Sequence, residues 1–238
     1  TGAGGGVVFI PFFEQLGIQP QQAVATSFAI QCFGMTAGSI VWIRFFRKGV
    51  QRPEYWPLKK SLLWWSAVPS IAGLWCAYGL DIEPPGSFSL AFAIFSVILG
   101  ATLLITIVRQ SNLNETLAIA PFELCLIAFL CFLGGIITAW LSVGVGELLA
   151  LYLIFRRVHI ALAVAVAVVV SAITVWSGIA YHVFITNAVV WPIVLFAGPG
   201  AVIGGVLARK LALWLPPVKL KGFFALWVIL MGAGNLVL

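Results

Sequence analysis

Few side chains in this sequence can do chemistry, and those that can lie beside clusters of glycine. Gly2, Gly4, Gly5 and Gly6 fall in the opening TGAGGGVVFIP, and Gly144 and Gly146 fall in VGVGELLALY. A glycine inside a helix costs about 1 kcal/mol relative to alanine, so neither stretch is an ordinary helix start. Glycines running straight into an apolar segment mark an irregular loop that feeds a helix N-terminus. There the free backbone N–H groups and the helix dipole attract anions. The six glycines are therefore candidates for binding an anionic substrate; the competing reading is that they only let helices pack closely.

A second constellation follows each glycine stretch. Ser27, Gln31, Gly34 and Gly38 recur at i, i+4, i+7 and i+11, which is one face of a helix, and Ala167, Ser171, Thr174 and Gly178 mark the corresponding face later in the chain. Polar groups on a greasy helix look inward, toward partners or water. Ser27, Gln31, Ser171 and Thr174 are thus either substrate contacts or interhelical hydrogen-bonding groups. Thr26 sits beside the stripe. Glu147 is a carboxylate inside the second glycine motif. It either caps the helix start or takes up a proton and couples transport to pH. Glu123, after Pro121, reads as a helix-initiating or interfacial residue. No cofactor or metal is expected: His159 sits beside Arg156 and Arg157, His182 falls in a loop, and neither has a ligand partner. The cysteines, Cys32, Cys76, Cys125 and Cys131, lie in apolar runs and read as small core residues. Asn114-Glu115-Thr116 matches a glycosylation acceptor, but the topology below puts it inside.

The elements that position these residues are set by composition. With 62% hydrophobic and 8% charged residues, the chain is not a soluble domain, which carries about 25% charge. Its apolar runs are about 20 residues long without period-2 alternation, the signature of helices that cross a bilayer rather than of a barrel. The expected fold is an all-α polytopic membrane protein. Full spans are expected at 23–46, 61–80, 87–108, 117–139, 160–181, 190–208 and 220–238, with short helices at 1–13 and after Gly144. Pro69 and Pro199 should kink or break their helices. A net charge of +6 reflects basic loops, not a nucleic-acid partner; no nucleic acid is expected.

Internal similarity divides the chain. Gly2-Ala3-Gly4 recurs as Gly144-Val145-Gly146, Ala67-Val68-Pro69 as Ala197-Gly198-Pro199, and FAIFSVILGATLL (92–104) as FALWVILMGAGNL (224–236). Residues 1–110 and 111–238 read as two transmembrane repeats. Lys and Arg gather in loops 44–60, 109–116, 155–159 and 209–221. Continuous alternation then puts all thirteen basic residues on the cytoplasmic side, with loops 44–60 and 209–221 cytoplasmic and the repeats inverted. Inverted repeats with short or broken helices meeting near the bilayer midplane are the plan of secondary transporters. The symmetry also implies a full helix ahead of Thr1, the first repeat lacking its first helix here.

The GAGGGVVFIPFF opening, the ATSFAIQCFG run and GGIITAWLSVGVGELLALY together resemble the TauE/SafE (TSUP) family of sulfite and organosulfonate exporters, over essentially the whole chain. The resemblance implies a secondary transporter that exports a small anionic sulfur compound, sulfite or a small organosulfonate, across the bacterial inner (cytoplasmic) membrane by alternating access. It implies no enzyme activity. The partners are then the substrate, the lipid bilayer and, optionally, a second copy in a homodimer. Glu147 stands where a third glycine would be expected, which leaves room for an asymmetric anion site. The rival reading is a non-transporting membrane assembly or chaperone-like factor, whose glycines would serve packing alone.

Overall fold

The computed structural model describes residues 5–47, 55–84, 86–109 and 119–237. Over these residues the chain forms α1 (Gly6–Gln15), α2 (Pro20–Arg47), α3 (Tyr55–Gly79), α4 (Phe88–Arg109), α5 (Pro121–Leu141), α6 (Val145–Phe155), α7 (Ile160–Phe184), α8 (Trp191–Trp214) and α9 (Pro217–Val237). Five of them (α2, α4, α5, α7 and α8) are long and apolar enough to cross a membrane, while α1 and α6 are short and apolar. The protein is an all-α multi-pass membrane protein. The prolines do not break their helices: Pro69 lies inside continuous α3 and Pro199 inside continuous α8.

α2 and α7 form the centre. α7, read from IALAVAVAVVV, is apolar all round, and such a helix is stable only when neighbours cover every face. Its residues from Ala161 to Ala172 are accordingly buried throughout. The packing around this pair follows an exchange rule. α1 lies on α2 as α6 lies on α7; α8 lies on α2 as α3 lies on α7; α9 meets α1 as α4 meets α6. α2 meets α7, and α4 meets α9, so these pairs exchange with themselves.

Two details give the rule atomic content. At the end of α1, Leu16 N–H donates to the Phe12 carbonyl, Gly17 N–H to Glu14 and Ile18 N–H to Phe13; at the end of α6, Arg156 donates to Tyr152, Arg157 to Ile154 and Val158 to Leu153. The pattern is the same with every residue number raised by 140. This register lays Gly5-Gly6 on Val145-Gly146, two residues away from the alignment suggested by the sequence. It puts Val7, not Gly5, opposite Glu147.

The second detail lies between α4 and α9. A Cβ on Gly100 would sit 2.9 Å from the Ala225 carbonyl oxygen, and a Cβ on Gly232 would sit 3.1 Å from that of Ala93. Gly100 and Gly232, and Ala93 and Ala225, are the matched residues of the two similar segments. The contact is reciprocal.

The ends of the bundle differ in charge. At one end Arg209 lies over the Phe45 ring, 5.2 Å from its centre, and Arg156 pairs with Glu123. At the other, the Ser89 hydroxyl donates to Glu14, and Trp140 Nε1 donates to the Ile82 carbonyl between Asp81 and Glu83 at 2.6 Å.

Candidate functional site

The start of α1 and the link between α5 and α6 meet on the polar face of α2. α5 ends in a tight reversal. Its C-cap, Ser142, takes a left-handed backbone (φ 55), and its N–H donates to the Thr138 carbonyl. Gly144 follows at φ 150, a conformation L side chains rarely adopt. Three residues therefore turn the chain from α5 into α6.

That turn places Ser142 against α2. The Gln31 side-chain nitrogen Nε2 lies 2.9 Å from the Ser142 carbonyl oxygen, 2.7 Å from Ser142 Oγ and 3.0 Å from Ser27 Oγ. Ser142 Oγ donates in turn to Ser27 Oγ at 3.0 Å. An amide has only two protons for these three oxygens, so the cluster shares them. All three side chains are buried. Gly6 closes the group from the α1 side: a Cβ there would come within 2.5 Å of the Ser142 carbonyl oxygen and 3.4 Å of Gln31 Nε2. Any larger residue would push α1 away.

The two helix starts are not electrically alike. At α6, the Gly144 N–H donates to Glu147 Oε2 at 2.8 Å and the Val145 N–H to Thr138 Oγ1 at 3.0 Å. The carboxylate thus closes the positive end of α6 from within. Among the described residues, α1 has no side-chain cap and no acidic residue in its first turn. The N-terminal charge of α1 is left uncompensated by its own residues, next to Gln31.

Not every expected site residue joins this cluster. Gly2 and Gly4 lie outside the described residues, as does the Asn114 sequon. Gly5 caps α1, Gly144 caps α6, and Gly146 is buried in the first turn of α6. Thr174 is hydrogen-bonded to Ser70 of α3 at 2.7 Å and to the Val170 carbonyl at 2.9 Å, which is the interhelical role. Ser171 is buried on α7, and among the described residues no hydrogen bond joins it or Thr174 to the Gln31 cluster. Thr26 accepts from the Val190 N–H at 3.0 Å and fixes the approach to α8. Gly34 and Gly38 serve α2 packing: their Cβ atoms would lie 3.2 Å from the Ala201 carbonyl oxygen and 3.3 Å from Val168 Cγ1. Glu123 accepts from the Ala120 N–H at 2.8 Å, the helix-initiating role.

Two site residues escaped the sequence. Ser142 precedes the glycine motif directly, but nothing in a single serine signals a left-handed cap. His182 is the other. It is no loop residue: it lies in the last turn of α7, 4% exposed, with Nε2 2.9 Å from the Tyr78 hydroxyl.

A cavity lies on either side of the cluster. One, of about 250 Å³, is lined by Gly5, Phe9, Gln31, Gly34, Trp42 and Gly205, and runs toward the Arg209 end. The other, of about 520 Å³, is lined by Gln21, Val24, Tyr78, Trp140 and His182 at the Asp81 end. Val24 is one turn from Ser27, and Gln31 lines the first cavity directly.

No curated protein and no solved structure matches this chain. One family model does, that described as Sulfite exporter TauE/SafE, over residues 1–234. With that match running through both glycine starts, the polar cluster between them and all the described helices, the chain belongs to the TauE/SafE family.

Proposed function

We propose that this protein is a secondary transporter that exports a small sulfur-containing anion, sulfite or a small organosulfonate, across the cytoplasmic membrane. The family supports a membrane transporter of sulfur anions. The observation that carries the site is the meeting of the uncapped α1 start with the buried Gln31–Ser27–Ser142 cluster. A tetrahedral or pyramidal oxyanion needs several N–H and O–H donors in place of its water shell. The α1 N–H groups, the Gln31 amide and the two hydroxyls supply them without a buried cation.

The mechanism proposed is alternating access between two inverted repeats, residues 1–110 and 111–238. Its support is the exchange rule in the packing and the reciprocal contacts of Gly100 with Ala225 and of Gly232 with Ala93. The two cavities approach the cluster from opposite ends of the bundle, so rocking one helix set against the other would open each in turn. The positive-inside bias makes the Arg209 end cytoplasmic. Gly5, Gly6, Ser27 and Gln31 are the substrate-contacting set. Gly144, Gly146 and Glu147 shape the turn that presents Ser142, and Gly2, Gly4, Ser171 and Thr174 have secondary parts.

Purified protein in proteoliposomes loaded with unlabelled sulfite should take up external labelled sulfite by exchange, faster than empty liposomes. Competition by a small alkanesulfonate would place the organosulfonates in the same site. Absence of exchange with either anion would favour the non-transporting factor.

A further inference from the structure

We propose that Tyr78 and His182 form a proton-operated gate between the Asp81-end cavity and the Gln31 cluster; this rests on the transport reading. The pair joins α3 to α7 by one hydrogen bond, Tyr78 hydroxyl to His182 Nε2 at 2.9 Å. Around it the rings form a lid. Tyr78 stacks on Tyr181 with centroids 4.0 Å apart, and the His182 ring lies 4.9 Å from that of Phe28. Phe28 is fully buried and lies in the helix turn between Ser27 and Gln31, next to Ser27. A Cβ on Gly178 would meet the Phe28 ring at 2.5 Å, so the ring is seated in that glycine's notch.

His182 is unusual in what it lacks. It lines the cavity and is nine-tenths buried, yet among the described residues its second nitrogen, Nδ1, is buried with no hydrogen-bond partner. In the tautomer whose Nε2–H donates to the Tyr78 oxygen, the neutral ring leaves only a lone pair at Nδ1, which the site tolerates. Addition of one proton from water in the cavity gives an imidazolium with two N–H donors, one of which has no acceptor. A buried charge in that state is costly, and removing it from its pocket relieves the cost. The groups facing the ring decide where it goes. α3 offers the Tyr78 hydroxyl, α7 its own Tyr181, α2 the uncharged Phe28 and Gln21, and α5 Trp140; the carboxylates of Asp81 and Glu83 line the same cavity. The protonated ring swings toward those carboxylates, the Tyr78–His182 bond breaks while the Ser70–Thr174 and Trp75–Ser177 bonds keep α3 on α7, and Phe28 is uncovered. Loss of the proton to water restores the latch.

Ser27→Cys reports the gate without requiring transport. In oriented proteoliposomes, a membrane-impermeant thiol reagent is added at the Asp81 end, and labelling at position 27, above the unsubstituted protein's background, is expressed relative to labelling of an exposed Leu80→Cys control at the same pH, which cancels the pH dependence of thiolate formation. This relative labelling should be several-fold greater at about pH 4 than at about pH 8, a window that spans the histidine range and extends below it. His182→Gln in the same background should make the relative labelling independent of pH. Tyr78→Phe, which keeps the titratable ring but removes the bond, should raise labelling at pH 8 by roughly threefold to tenfold, the worth of one hydrogen bond. Relative labelling of the parent that does not change with pH, or a His182→Gln profile like the parent's, overturns the gate. Sulfite exchange by the protein with its native Ser27, in parallel vesicles, separates the two readings. Exchange with pH-independent labelling removes the gate and keeps the transporter; pH-dependent labelling without exchange keeps the gate and removes the transporter.

Discussion

Replacing Gln31 by leucine removes the side chain that bonds both Ser27 and Ser142. Leucine matches its bulk, so packing in α2 is largely kept. Gln31 Nε2 serves Ser142 O, Ser142 Oγ and Ser27 Oγ. The serines still satisfy each other through their 3.0 Å contact, but the Ser142 carbonyl is left without this donor in a buried site. An unsatisfied buried acceptor costs about 1–3 kcal/mol, which is a thermal loss of about 2–4 °C per kcal/mol for a chain of this size. The functional effect is separable from that loss. Sulfite at 100 times its dissociation constant should stabilise the wild type by about 2.7 kcal/mol. In Gln31→Leu most of that increment should vanish, and exchange should fall tenfold or more, about 1.4 kcal/mol of transition-state binding. Thermal unfolding with and without sulfite, run beside exchange, gives both numbers. A variant that is less stable but gains the full sulfite increment, with wild-type exchange, would refute the claim that Gln31 contacts the anion and reduce it to interhelical bonding.

Gly6→Ala should abolish exchange, because its Cβ meets the Ser142 carbonyl at 2.5 Å; Gly200→Ala, in helical backbone with open space around it, should leave exchange intact and serves as control in the same assay. Glu147→Gln should lower stability by about 0.5–2 kcal/mol through loss of the charged cap on α6 and leave gradient-driven sulfite flux in place; loss of gradient dependence alone would make Glu147 the proton carrier. Gly100→Val and Gly232→Val should destabilise by similar amounts if the α4–α9 contact is reciprocal, and unequal unfolding midpoints would count against the repeats. A double-mutant cycle on Glu123 and Arg156 should give no more than about 1 kcal/mol, since the arginine is 43% exposed and water screens the pair.

The helices were legible because a bilayer imposes one length on apolar runs, and runs such as Ile160 to Tyr181 have no other stable form. Short α1 and α6 were legible for the opposite reason, since glycine clusters stop a run before it spans. Gln31 and Ser27 stood out as polar groups on one helix face. What could not be read was which polar groups meet. Thr174 and Gln31 look alike in sequence, yet one bonds Ser70 and the other Ser142, and only the helix rotation decides. Ser142 owes its role to a backbone angle, and His182 to an α7 that runs a turn past its apolar stretch. Of the kink or break expected at Pro69 and Pro199, the break does not occur, because each lipid-facing helix keeps its remaining backbone hydrogen bonds on either side of its proline.

The reciprocal glycine contact also sets the stiffness of one part of the molecule. Gly100 is the notch for the Ala225 carbonyl of α9 and Gly232 the notch for the Ala93 carbonyl of α4, so α4 and α9 fit in a single register. Sliding either helix by one turn would empty both notches together, with no intermediate fit. The two helices therefore behave as one stave against which lighter elements can pivot.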